Sequence, residues 1–168
     1  MRNSFSSMLL SAVLAFSSTS SWAETWTLEK YPADGFQAEF PSSIRIAPVE
    51  LSERQRNFME HITEYVTTFR AADFRVSVAH GLPNAAVNIE GAATGNLVNA
   101  QKCQTIDKRS IGDAIEWVGT NCKTGLFRHR LRLFVKDKWL YQVSVVSPLA
   151  NDQAAEKHFV ESFKLIGN

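Results

Sequence analysis

The chain has 168 residues, 45% of them hydrophobic, with 18 basic residues against 17 acidic ones and a formal net charge of +1. This charge balance gives no support for nucleic acid as a partner, because strong nucleic-acid binders carry a basic excess or a concentrated basic face. The length fits a single domain that buries roughly two thirds of its unfolded surface.

The first two dozen residues predict export. Arg2 gives a positive start, residues 8–16 (MLLSAVLAF) form a short apolar stretch, and residues 21–23 (SWA) place small side chains where a signal peptidase cleaves. The apolar stretch is too short to span a bilayer. We therefore expect residues 1–23 to be a signal peptide, and residues 24–168 to be one periplasmic or secreted domain without a membrane span.

Alternating, β-branched and aromatic residues predict strands in the first half of this domain. These strands cover residues 26–31, 36–40, 44–51, 62–69 and 74–79. Residues 52–57 predict a loop or short helix. Pro83-Asn84 predicts the start of a helix that runs to about residue 100, although two glycines within it lower its helix propensity.

The two cysteines flank a predicted hairpin. Gly112-Asp113 suits the centre of a type II′ turn, which would place Cys103 directly opposite Cys122. An even number of cysteines in an exported chain indicates a disulfide. We expect a structural bridge rather than a redox pair or half of a metal site, because the spacing is not Cys-x-x-Cys.

A second hairpin is predicted from residues 126–135 and 139–146. A turn centred on Asp137 would pair Leu133 with Tyr141, and it would set the intervening arginines beside polar residues. This register predicts a sheet with one apolar and one polar face.

The chain ends in a predicted helix. Asn151 or Asp152 can cap it, and Ala155, Phe159 and Phe163 recur at four-residue steps. The order of elements predicts an α+β fold, in which helices pack on the faces of an antiparallel sheet.

Three segments resemble the PsbP-like, or Mog1-like, family of small exported bacterial domains. They are residues 35–41 (GFQAEFP), residues 141–145 (YQVSV) and residues 159–165 (FVESFKL). The resemblance implies an α/β/α arrangement with helices on both sides of the sheet. It implies no activity and no site residue, since members of the family serve as photosystem accessory subunits, small-GTPase binders or envelope proteins.

The sequence contains no familiar catalytic or cofactor motif, such as G-x-S-x-G, a Walker loop or H-E-x-x-H. His61, His80, His129 and His158 are not spaced as a metal clip, although Glu60 beside His61 is a pair that can bind a metal. We expect no cofactor, no metal and no enzymatic activity. A hydrolase with a spatially assembled site is the less favoured alternative.

The most suggestive local feature is a row of arginines. Arg128, Arg130 and Arg132 recur at period two, so they share a strand face with Phe134, and Lys136 continues the row. Guanidinium groups in a row suit phosphate or carboxylate recognition. We predict a binding surface for an anionic envelope component or a protein. The alternative is a solvated sheet face, or one covered by a helix that bears glutamates.

These observations together predict a monomeric or weakly oligomeric binding or accessory module of the bacterial envelope. The alternative is a carrier of a small apolar or anionic ligand, held between the sheet and a helix. A flat basic and aromatic face would favour the first interpretation, and a deep pocket with convergent polar groups would favour the second.

Overall fold

The computed structural model describes residues 25–167, which form two antiparallel sheets and a few short helices. The predicted signal peptide, residues 1–23, lies outside the described residues. Within residues 25–167, no helix is both long enough and apolar enough to cross a membrane.

The strands are β1 (Thr27–Tyr31), β2 (Phe36–Phe40), β3 (Arg45–Pro48), β4 (Met59–Phe69), β5 (Ala72–Gly81), β6 (Thr105–Ile111), β7 (Ala114–Cys122), β8 (Phe127–Lys136), β9 (Trp139–Pro148) and β10 (Lys164–Leu165). The helices are α1 (Glu53–Arg56), α2 (Ile89–Thr94) and α3 (Gln153–Ser162). A 3₁₀ turn (Pro32–Asp34) joins β1 to β2, and a π-helical segment (Gly95–Ala100) continues α2.

The large sheet has the strand order β3-β4-β5-β9-β8-β7-β6, and the small sheet has the order β1-β2-β10. Strands hold 51% of the described residues and helices 20%, so the predicted α+β class is wrong and the fold is β-rich. The error has a physical cause. One layer that we expected to be helical is largely the small sheet, which closes when β10 pairs with β2 from the far end of the chain.

Both faces of the large sheet are covered, contrary to the prediction of one polar face. The first face carries Val76, Tyr141 and Val143, and it packs against the small sheet and α3. The second face carries Leu131 and Leu133, and it packs partly against α2 and the π-helical segment.

The β8–β9 hairpin shows why the predicted faces were wrong. Lys136 pairs with Trp139 across the turn, so Leu133 lies opposite Gln142 rather than Tyr141, one position away from the predicted register. Arg132 consequently lies opposite the fully buried Val143. A shift of one residue exchanges the two faces of a strand relative to its neighbour, and it brings the arginines onto an interior face.

The helices agree in part with those predicted from the sequence. Asp152 caps α3 by accepting a hydrogen bond from the backbone N–H of Ala154, as predicted. The helix ends at Ser162, however, so the last residues of the predicted closing helix form β10 instead. The helix expected from Pro83 begins only at Ile89, where the Asn88 side chain caps it.

The Cys103–Cys122 disulfide is confirmed. Its hairpin has the predicted register, with Ile111 paired to Ala114 around the turn. The bond ties the end of the π-helical segment to β7 and is compatible with an exported protein. Gly119 lies beneath it, since a Cβ atom at that position would stand 2.6 Å from the Cys103 sulfur.

Candidate functional site

The predicted arginine row lies in the interior. Arg128, Arg130 and Arg132 expose only 5%, 4% and 7% of their surface. Phe134 is half-buried, with its ring centroid 4.8 Å from that of Phe163, while Lys136 is exposed. The period-two spacing therefore predicted correctly which residues share a strand face. That face, however, lies beneath α3 and the small sheet.

Two buried glutamates pair with the three arginines of this row. Glu156 of α3 accepts from Nη2 of Arg128 at 2.6 Å. Glu116 of β7 accepts from Nη1 of Arg130 at 2.8 Å and from Nη2 of Arg132 at 2.7 Å. Glu156 fits the alternative considered from the sequence, a face covered by a helix with glutamates, whereas Glu116 lies on the neighbouring strand β7. Recognition of an anionic partner by these residues stays a prediction, and their inward-facing guanidinium groups give it little support.

Glu116 is ionised because cations surround it. Burial alone would raise the pKa of its carboxyl group, but hydrogen bonds from Arg109 and Arg132 and the charges of Arg132 and Arg130 outweigh that effect. The net result is a pKa below the ordinary value. The cluster is thus a set of buried ion pairs that joins β7, β8 and α3.

A large cavity opens instead on the second face. Its volume is about 1100 Å³, at the upper end of the range for ligand pockets. Ile62, Ala79 and Leu140 form the floor on the central strands β4, β5 and β9. Phe58 and Leu82 contribute to its walls. We call this space the apolar compartment.

Small side chains on the helical segment account for this space. Ala93 and Leu97 are buried among the apolar side chains of β7 and β8, so the segment covers that side of the sheet. Gly91, Ala92 and Gly95 line the cavity, and an added Cβ at Gly95 would meet no atom within 4 Å. The roof over the central strands therefore lacks the bulky groups that would fill the gap.

A polar compartment of about 270 Å³ lies further along the same face. Glu64 accepts from Arg75 Nη1 at 3.1 Å and from Ser77 Oγ at 3.3 Å within it. Arg75 and Lys123 line it as cations, and Glu64 and Asp73 line it as anions. The balance of charge gives the polar compartment no net preference for an ionic ligand.

His129 is a buried polar group in the wall of this compartment. It is 1% exposed, and neither ring nitrogen has a hydrogen-bond partner among residues 25–167. Oε1 of Gln101, which also lines the compartment, is likewise unpartnered there. Buried polar atoms are normally satisfied, so these three atoms are exceptions among the polar groups that line the compartment.

The two compartments are neighbours that share lining residues. Gln55, Ile62, Asn96 and Gln142 line both of them. At this boundary Nδ2 of Asn96 donates to Oε1 of Gln142 at 2.7 Å, which links the helical roof to the sheet floor. We call the two neighbouring compartments together the cleft, with the apolar compartment as its larger part and the polar compartment at one end.

We expect His129 to make folding stability fall between pH 6.5 and about 4. Burial, followed by the charges of Arg75 and Lys123, lowers its pKa from 6.5 to about 4. The unfolded chain binds the proton more readily in this window, so stability that is fully present above pH 6.5 is lost as the pH falls. Urea unfolding of His129→Gln at several pH values should show a flatter profile than the wild type.

The matched control for this measurement is His158→Gln. His158 is exposed on α3 and hydrogen-bonded to Glu39, so the same substitution there removes a surface imidazole and leaves the buried one in place. Equal slopes in the wild type and His129→Gln would contradict the assignment.

Comparison with known proteins adds no family: no protein-family model matches the chain, and no curated protein matches it. The resemblance to PsbP-like domains therefore stays a prediction. The class that the structure defines is a β-rich domain with a buried ionic cluster on one side of its large sheet and an open cleft on the other.

The sequence analysis did not identify the cleft residues. Three of them, Asn96, Gln101 and Gln142, have amide side chains and belong to no recognisable motif. His129 lies between Arg128 and Arg130, whose side chains point to the opposite face of the strand. The small residues at positions 91, 92 and 95 were visible as poor helix formers. Their consequence, an unfilled space, depends on the sheet beneath them.

Proposed function

We propose that this protein is a binding module for a small, uncharged amphipathic molecule, which it holds in the cleft between the large sheet and the helical segment. The observation that carries the proposal is an apolar compartment of about 1100 Å³ beside a polar compartment that is lined by the unpartnered His129. The predicted leader and the disulfide support action outside the cytoplasm.

The ligand chemistry follows from the walls of the cleft. The floor formed by Ile62, Ala79 and Leu140 would gain from contact with an alkyl or ring system, at about 25 cal/mol for each Å² removed from water. At the other end, Gln101 Oε1 requires a donor, and neutral His129 offers one donor and one acceptor. Hydroxyl or amide groups meet these requirements.

A charged head group fits less well. Arg75 and Glu64 already pair with each other, and the remaining cation and anion in the wall offset each other. A carboxylate that entered the polar compartment would lose its hydration without gaining an uncompensated cation. We therefore expect an alcohol or ester to bind more tightly than the fatty acid of equal chain length.

Fluorescence titration with N-phenyl-1-naphthylamine tests the proposal. We expect saturable 1:1 enhancement, and we expect 1-monolauroylglycerol to displace the probe at a concentration about tenfold lower than laurate does, as one or two extra hydrogen bonds would give. Gln101→Leu should abolish most of that preference, because it removes the unpartnered amide oxygen. A signal that does not saturate would contradict the proposal.

Two tryptophan substitutions on α2 provide the spatial control. Ala92→Trp places an indole in the apolar compartment and should prevent probe binding. Thr94→Trp places the same group on the exposed side of the same helix and should leave binding unchanged. Equal titrations for the two variants would show that the probe binds elsewhere.

A further inference from the structure

A second cluster of functional side chains lies on the first face of the large sheet, on the opposite side from the cleft. His61 of β4 pairs directly with His80 of β5, and His80 pairs with Trp139 of β9. The ring centroids of the two histidines are 5.5 Å apart, and the His80 centroid lies 4.4 Å from that of Trp139. The His61 centroid also lies 5.9 Å from that of Trp139, so the three rings form a compact cluster over three neighbouring strands.

A β-bulge adds a carboxylate to this cluster. Met59 pairs with Gly81 and His61 pairs with His80, so Glu60 is an extra residue in β4. In a regular strand Glu60 and His61 would point to opposite faces. The bulge lets both lie on the same side, where the Glu60 carboxylate hydrogen-bonds to Nδ1 of His80.

The resulting three groups have the geometry of an incomplete metal site. One ligand atom from each of Glu60, His61 and His80 lies within 4.8 Å of the other two. Donors around a tetrahedral zinc ion stand about 3.3 Å apart when the bonds are about 2.0–2.1 Å long. Glu60 and His61 are exposed, so side-chain rotation at the surface is free to close the remaining gap.

We propose that Glu60, His61 and His80 bind one divalent transition-metal ion of the zinc or copper class, with the remaining coordination position open to water. Two imidazoles and one carboxylate suit ions of borderline softness, whereas calcium and magnesium require sets of oxygen ligands. The proposal is independent of the cleft, since Ile62 and Ala79, the neighbours of His61 and His80, point to the other face.

Calorimetric titration of the full-length, untagged protein with ZnCl₂ tests this site. We expect a stoichiometry of one ion per chain. His61→Gln and His80→Gln should each weaken binding by at least about tenfold, because even the outer partners of metal ligands have effects of that size. Glu60→Gln should weaken binding as well.

The matched control is His158→Gln, because His158 is also a surface imidazole beside a glutamate, Glu39, but has no second histidine there. This variant should bind zinc as the wild type does. Absence of binding heat with zinc would overturn the proposal, as would an equal loss in His158→Gln and His80→Gln. Circular dichroism of each variant verifies that the sheet is intact.

Copper supplies a second readout that depends on position. Cu²⁺ quenches tryptophan emission at short range, so an ion bound at His80 should quench Trp139 in the wild type. Trp139→Phe should retain zinc affinity and lose most of the quenching. Undiminished quenching in that variant would place the copper ion elsewhere and contradict the site.

Discussion

Replacing Glu116 with glutamine should lower the free energy of unfolding by about 3–5 kcal/mol. Glu116 is fully buried, and its two carboxylate oxygens accept from Arg130 and Arg132. The neutral amide keeps the volume of the side chain but leaves two guanidinium charges in the interior with one carboxylate fewer. Urea or thermal unfolding at pH 7 measures the loss.

An exposed ion pair provides the control for this substitution. Glu90 pairs with Lys108 at the surface, with 61% and 47% of their side chains exposed. Glu90→Gln should therefore change stability by no more than about 1 kcal/mol. A similarly small effect of Glu116→Gln would show that the interior tolerates unpaired arginines and would contradict the description of the cluster.

The cluster also predicts acid sensitivity. Because the pKa of Glu116 lies below its ordinary value of 4.5, the ionised carboxylate contributes stability that is fully present above pH 4.5. This contribution is lost as the pH falls through the folded-state pKa. The Glu116→Gln variant should not show this loss of stability below pH 4.5. The effect of His129 begins at higher pH, so the two contributions can be told apart.

Removing the disulfide should have the second-largest effect. The Cys103→Ala/Cys122→Ala variant should lose about 3 kcal/mol, because the bond closes a loop with a sequence separation of 19 and restricts the unfolded chain. Alanine is the suitable replacement, since Cys122 is fully buried and a serine hydroxyl would need a partner there. Denaturant unfolding measures the change.

Chemical reduction gives an independent test of the same bond. Dithiothreitol should lower the stability of the wild type by a similar amount and leave the double variant unchanged. Intact mass under non-reducing conditions should show the bonded form, and two free thiols would contradict the structure. Because Cys103 anchors the roof of the cleft to β7, the double variant should also bind the fluorescent probe less tightly.

Several local features of the fold were predictable because short segments encode them. Gly112 and the alternation around it specify the β6–β7 register, and that register places Cys103 opposite Cys122. Asp152 and the four-residue spacing after it specify where α3 begins. Each of these signals depends on contacts between residues that are near in sequence. Each can therefore be recognised without knowing how the rest of the chain folds.

The interior position of the arginine row was not predictable in the same way. Three arginines at period two indicate a polar face only if no distant carboxylate reaches them. Glu116 lies 14 residues before Arg130, and Glu156 lies 28 residues after Arg128. Neither separation matches a local pattern, so the pairs exist only once β7, β8 and α3 have assembled.

The sequence by itself thus determined most of the strands, the β6–β7 turn, the disulfide and the start of the last helix. The tertiary structure alone decided which face of β8 is buried, where small roof residues leave a cleft, and how a bulge brings Glu60 to His80. The physical reason is that turns, caps and alternation depend on backbone preferences over a few residues. The burial of charged groups and the presence of unfilled space depend instead on which elements, far apart in sequence, pack against each other.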